Sequence, residues 1–124
     1  MMKKLFTATV LALAAAGFNA AHAHSGGEPK HGGVVQAASE LSFELVGTPE
    51  GAVIYVEDHG KPMPLTGVTG RLTVLNGSDR TEADLTPAGD RLEARGVKLA
   101  SGSKVVAALR TAKQKAITVR FTVK

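Results

Sequence analysis

The sequence predicts an all-β domain, and three observations predict it. Short apolar runs alternate with polar residues at period two. Turn-forming residues interrupt these runs at spacings of about ten to fourteen residues between centres. The cleanest run places Ile117, Val119, Phe121 and Val123 on one side and Thr118, Arg120, Thr122 and Lys124 on the other, as in a strand that covers a core with one face. About seven such runs in about 90 residues predict an antiparallel two-sheet sandwich of immunoglobulin-like type, with a small β-barrel as the alternative.

The first 23 residues stand apart. Lys3 and Lys4 make a basic start, Leu5 to Gly17 an apolar core, and Ala21-His22-Ala23 places small residues at both positions read by a signal peptidase. The apolar core is shorter than the roughly 20 residues that span a bilayer. The expectation is a cleaved secretory leader, residues 1–23, and an exported, periplasmic protein with no membrane anchor after cleavage. Removing 23 of 124 residues leaves 101, with 13 basic and 11 acidic side chains and a charge of +2 in place of +4. Much of the basic character belongs to the leader.

From His24 the chain reads HSGGEPKHGG, a Gly- and polar-rich stretch that predicts a flexible arm over 24–39 ahead of the β domain, 40–124. Within the domain, Leu41, Phe43 and Leu45 alternate with Ser42 and Glu44. Ala52 to Val56 is a continuous β-branched and aromatic run, ended by Asp58-His59-Gly60. Arg71 to Leu75 stops at Asn76-Gly77, a strong hairpin signal because both residues tolerate positive φ. Ala83 and Leu85 follow, then the turn Pro87 to Asp90, then Leu92 and Ala94. Ser103 to Lys115 fits two periods: Ser103 could cap a helix with Val105, Leu109, Ala112 and Ala116 on one face, or Val105, Ala107 and Leu109 could line a strand. The strand is favoured, with a polar turn at Thr111 to Lys115. The expected core is aliphatic with three aromatics, Phe43, Tyr55 and Phe121, and should stabilise modestly.

Composition excludes several chemistries. The chain has no cysteine, so disulfides, thiolate metal sites and cysteine nucleophiles are ruled out. No basic cluster interleaved with aromatics points to nucleic acid. There is no phosphate-binding glycine loop and no Gly-x-Ser-x-Gly elbow, and Glu44, Asp84 and Glu93 fall on the polar phases of strands, where solvated surface is expected. No enzyme activity is expected.

The histidines carry the functional reading. Cleavage after Ala23 would put His24 at the new N-terminus, where its α-amine and imidazole supply two nitrogens from one residue. One more imidazole completes a three-nitrogen site suited to Cu(II). His31 lies seven residues on, and His59 sits at a hairpin. Met63, between Pro62 and Pro64, offers a thioether suited to Cu(I), and Glu28 or Asp58 an oxygen for a harder ion. Each also has an ordinary structural reading: His31-Gly32-Gly33 as a lead into a strand, Asp58-His59-Gly60 as turn chemistry, Met63 as a filler of the core.

Pro29-Lys-His-Gly-Gly-Val-Val35, Leu41-Ser-Phe-Glu-Leu-Val46, Val53 to Pro62 and Gly70-Arg-Leu-Thr-Val-Leu75 together resemble a group of small exported proteobacterial proteins. They are similar to segments near the N-termini of periplasmic adaptor subunits of heavy-metal efflux pumps. The resemblance implies a β-sandwich module of the cell envelope, sometimes in metal-resistance settings, with His31 at the matching motif position. The coiled-coil hairpin and lipoyl-like parts of an adaptor are absent. The expected function is a periplasmic metal-binding accessory protein, for copper or a related divalent ion, with His24 and His31 as first ligands and His59 and Met63 as further ones. Its partner would be a metal efflux system or another envelope protein. The alternative is an envelope interaction module that binds no metal.

Overall fold

A computed structural model describes residues 27–124; the predicted leader and His24 lie outside the described residues. The described chain is all-β and antiparallel. It forms β1 (Val34–Ala38), β2 (Leu41–Thr48), β3 (Gly51–Asp58), β4 (Lys61–Pro62), β5 (Thr69–Asn76), β6 (Asp79–Ala88), β7 (Arg91–Arg95), β8 (Lys104–Arg110) and β9 (Ala116–Thr122). The hydrogen-bonded order is β1-β2-β3-β7-β6-β5-β8-β9, with β4 as a short addition beside β3.

One strand joins two sheets. The first part of β6 pairs with β5 from Asp79 to Leu85, and its last three residues, Thr86 to Ala88, pair with β7 instead. Pro87, which has no N–H to donate, sits in this short second stretch, where a bent strand tolerates it. The two ends of the path, β1 and β9, come alongside each other. The result is nearly a closed barrel, the alternative to the open sandwich.

Period two decides what lies inside. Phe43, Leu45, Ile54, Val56 and Leu92 from one sheet meet Leu72, Val74, Val105, Ala107, Val119 and Phe121 from the other, all buried. Burial of this kind contributes about 25 cal/mol per Å² of apolar surface. Tyr55 is not among them. Ile54 and Val56 take the inward positions, so Tyr55 points to the outer face and is half-buried. The uninterrupted apolar run from Ala52 to Val56 hides that parity from sequence reading.

The seven expected strands are present, and two more accompany them. One is the two-residue β4. The other is β1, which lies inside the segment read as a flexible arm: Val34 to Ala38 pair in full register with Leu45 to Leu41. The stretch from Ser103 to Lys115 is the strand β8 and a turn, closed by Thr111 N–H donating to Lys115 O at 2.9 Å. Ser103 caps nothing helical; it is buried, accepts from the Ala100 N–H at 2.9 Å and donates its hydroxyl proton to the Asn76 side chain. Asn76 in turn donates to Lys98 O at 3.2 Å. That engagement keeps Asn76 in the ladder opposite Asp79, so the hairpin loop is Gly77-Ser78 in place of Asn76-Gly77. Of those two only Gly77 has positive φ, 63°, the type II′ pattern.

Candidate functional site

The outer face of the first sheet gathers the polar residues of the N-terminal half. Glu44 lies between the core residues Phe43 and Leu45 and therefore points outward. The register sets it beside Val35 on β1 and Tyr55 on β3, and sets Tyr55 beside Arg91 on β7. Expected as solvated surface, Glu44 is instead 6% exposed. The reason is the segment Lys30 to Gly33, which folds over it.

Two glycines make that fold-over possible. Gly32 takes a left-handed φ of +75°, which L side chains rarely adopt. Gly33 runs so close to β2 that a Cβ there would stand 2.1 Å from Leu45 O. The backbone amides then converge on one carboxylate. Lys30 N–H donates to Glu44 Oε1 at 3.0 Å, and His31 N–H and Gly33 N–H donate to Oε2 at 2.8 Å each. His31 Nδ1 reaches Oε1 at 3.0 Å. This is an anion nest of three converging amides closed on the protein's own glutamate. Burial pushes the Glu44 carboxyl up, but hydrogen bonds from the Gly33 amide, the His31 ring and the His31 and Lys30 amides outweigh it. The group sits below its ordinary value of 4.5.

The His31 ring is fixed on two sides. It stacks on Tyr55, with centroids 3.6 Å apart and planes within 4°. Its Nδ1 faces an ionised carboxylate, which can only accept, so Nδ1 carries a proton. In the neutral ring the lone pair is therefore on Nε2. Beside the ring lies a cavity of about 240 Å³ lined by Lys30, Tyr55, Glu57, Pro62 and Asp90. Lys30 Nζ closes one wall by pairing with Glu57 at 2.9 Å. Further along the sheet, Tyr55, Arg91, Glu93 and Arg95 border a second shallow cavity of about 250 Å³. There the Tyr55 phenol and the Glu93 carboxylate raise the Arg91 guanidinium above its ordinary value, holding it charged.

The other predicted ligands are placed elsewhere. His59 occupies the β3–β4 turn with Gly60; both have positive φ, 52° and 84°, which makes a type I′ turn. Its side chain is 84% exposed, with Nδ1 2.6 Å from Asp58 Oδ1. It lies four residues past Tyr55, about 13 Å along the strand from the row that carries His31. Met63 is half-buried against the core, its amide donating to Val56 O at 3.0 Å. Among the described residues, no group of three His, Cys, Asp or Glu side chains is arranged to hold a metal ion. The structure thus brings His31 together with Glu44 and Tyr55, and brings neither with His59 or Met63.

Asp84 and Glu93 are, as expected, on outer faces, where they pair with Arg71 and with Arg91 and Arg95. Glu44 and Tyr55 are the site residues that sequence reading misplaced. A readable signal existed for Glu44, since an acid between two core residues opposite a His-Gly-Gly segment has backbone donors within reach. Comparison with protein-family models, with curated proteins and with solved structures returns no match to this chain.

Proposed function

We propose that this chain is an exported, non-enzymatic accessory module that binds copper or a related divalent metal, with His31 as the anchoring ligand. The observation that carries this reading is the Glu44–His31 hydrogen bond. Imidazoles that ligate metals commonly donate their other ring proton to a carboxylate, which fixes the tautomer and raises basicity. His31 has that arrangement, with Tyr55 holding the ring plane and Nε2 left as the donor atom. One imidazole does not hold an ion alone. His24, seven residues upstream, is within a span of at most about 23–25 Å of extended chain. After cleavage at Ala23 its α-amine and imidazole would complete three nitrogens, a set suited to Cu(II). We leave His59 and Met63 out of this ligand set, since His59 stands on the β3–β4 turn and Met63 packs against the core. The resemblance to segments of heavy-metal efflux adaptors supports a setting in metal resistance, with an efflux system or another envelope protein as recipient.

The test is a Cu(II) titration of processed protein whose N-terminus has been fixed by mass spectrometry. Beside it run a version with one extra N-terminal residue, His31→Ala and Glu44→Gln. Loss of binding in the first two, and a loss of about 10–100-fold in Glu44→Gln, is the expected result. Binding should weaken on acidification, because only neutral imidazole ligates. Equal tight binding in all four proteins would sink the assignment. The second reading, an envelope interaction module without metal, rests on the cavity bordered by Tyr55, Arg91 and Arg95. It is favoured if none of the proteins binds copper at neutral pH.

A further inference from the structure

The mature chain's charge of +2 conceals a segregation. From Gly96 to Lys124 there are seven basic residues (Lys98, Lys104, Arg110, Lys113, Lys115, Arg120 and Lys124) and no acidic one. From His24 to Arg95 there are 6 basic and 11 acidic residues, so that part is −5 and the rest +7. The ion pairs divide the same way. In the first part Lys30, Arg71, Arg80, Arg91 and Arg95 each meet a carboxylate. None of the seven later cations forms an ion pair among the described residues, and all seven are exposed.

The fold turns part of this charge into a face. Lys104 and Arg110 on β8 and Arg120 on β9 alternate with buried Val105, Leu109 and Val119, so all three point outward from the second sheet. Between them stand short side chains, Val106, Ala108, Thr118 and Thr122, above which the cations project. Leu75, the one exposed large apolar side chain among the described residues, is on this same face, directly opposite Lys104 in the β5–β8 register. At one end a shallow cavity of about 370 Å³ is bordered by Arg71, Arg110, Thr69, Thr118 and Asp84. The acids of this face, Glu82 and Asp84, are confined to β6 and already paired with Arg71 and Arg80.

We propose that the outer face of β5, β8 and β9 docks on an anionic phospholipid bilayer. This goes beyond the metal reading and does not depend on it. The chemistry separates this partner from the other anions. No outward position of β5, β8 or β9 is aromatic, so bases have no stacking platform. With β6 beside them these strands form a four-stranded sheet, about 14 Å across at about 4.8 Å per strand, wider than the ~12 Å major groove. A second copy of the chain holds Glu44, Glu57, Glu82, Asp84 and Glu93 within its own fold, and its other six acids stand in the leading segment, in turns and at strand ends, not on one sheet face. A lipid surface suits an outer face of unpaired cations, with Leu75 to meet the interface and headgroup phosphates to meet Lys104, Arg110 and Arg120.

The experiment is cosedimentation of the processed protein with vesicles of phosphatidylcholine alone, or of phosphatidylcholine mixed with phosphatidylglycerol. Binding is expected only to the mixed vesicles. It should fall steeply with salt as the Debye length shrinks from about 10 Å at 0.1 M to about 3 Å at 1 M. Each cation near an anionic surface contributes about fivefold, so Lys104→Gln, Arg110→Gln and Arg120→Gln combined should weaken binding about 100-fold. Lys61→Gln, on the other sheet, should change nothing, and circular dichroism should show all variants folded. The proposal is overturned by no binding to mixed vesicles, by equal binding to neutral ones, or by a triple variant that binds like the parent. A single-stranded oligonucleotide that competes the protein off mixed vesicles at equal charge would also overturn it, in favour of nucleic acid.

Discussion

The outer face of the first sheet and the β8–β9 part of the second handle charge in opposite ways. On the first sheet Glu44 is enclosed by three backbone amides and the His31 ring, Lys30 meets Glu57, and Arg91 and Arg95 meet Glu93. On the second, Lys104, Arg110 and Arg120 have no carboxylate partner among the described residues. Charge held by fixed, partly buried donors stabilises the fold, because removing one partner leaves the others unsatisfied. Charge left in water does little for the fold and remains available to a partner. The first face should therefore be sensitive to mutation in stability, and the second in binding.

The largest expected effect is at the nest. Glu44→Ala removes the acceptor of three amides and of His31 Nδ1 in one step. Hydrogen bonds to a charged group contribute about 1.5–3 kcal/mol each, part of which water restores once the side chain is gone. A net loss of about 3 kcal/mol in urea unfolding is expected, together with loss of the ring stacking on Tyr55. A loss under about 1 kcal/mol, the range of a surface carboxylate, would erase the distinction between the two faces.

Next in size is Gly33→Ala. A Cβ at that position meets Leu45 O at 2.1 Å and Val46 Cγ2 at 2.8 Å, and the first of these is backbone that cannot swing away. The segment must lift from β2, costing about 2 kcal/mol, in the range of overpacked sites. Hydrogen exchange should show β1 amides losing protection before those of β5 and β8. The neighbouring Gly32→Ala, with open space around it but a φ of +75°, should cost about 1 kcal/mol from backbone strain alone.

Acid titration sharpens the comparison further. The Glu44 carboxyl is lowered in the folded state, so between its folded and unfolded values the unfolded chain binds more protons. Stability therefore rises with pH through that window. The contribution is complete above the ordinary value of 4.5 and is lost as the pH falls through the folded value. Glu82 is also lowered, by hydrogen bonds from Arg71 and Arg80, but it stands at the surface where solvent screens the pair. Unfolding followed against pH should lose most of its acid slope in Glu44→Gln and little of it in Glu82→Gln.

These sites also show what the sequence disclosed and what it concealed. Alternation at Leu41–Leu45, Leu92–Ala94 and Ile117–Val123 gave the strands directly, because a half-buried strand must repeat at two. The hairpin at Asn76-Gly77 was legible as a turn but shifted by one residue, since nothing local shows that Asn76 is needed by Lys98 and Ser103, 22 and 27 positions away. The His31-Gly32-Gly33 motif was legible as a feature and read as a ligand in a flexible arm. Parity alone sends its partner Glu44 to solvent, because parity names a face and cannot say what covers it. Tyr55 reads as core because a run of five apolar residues has no parity to read. Strand β1 was missed for a related reason: Val34 to Ala38 has little alternation, and its placement depends on a clasp formed by residues ahead of it.

The smallest expected effect lies on the second sheet, and its smallness is what matters. Lys104, Arg110 and Arg120 make side-chain contacts only with Thr122 Oγ1 and Gln114 O among the described hydrogen bonds, and both of those acceptors are exposed. Replacing all three cations by glutamine should change unfolding free energy by less than about 0.5 kcal/mol, the usual range for surface substitutions. Removing like charges that repel across β8 and β9 should make the sign slightly stabilising at low salt, an advantage that fades as salt screens them. A protein that loses stability, with its vesicle binding, when these cations are removed would show that the basic face is part of the fold. A protein that keeps its stability and loses only its vesicle binding would show that the fold leaves this charge free for a partner.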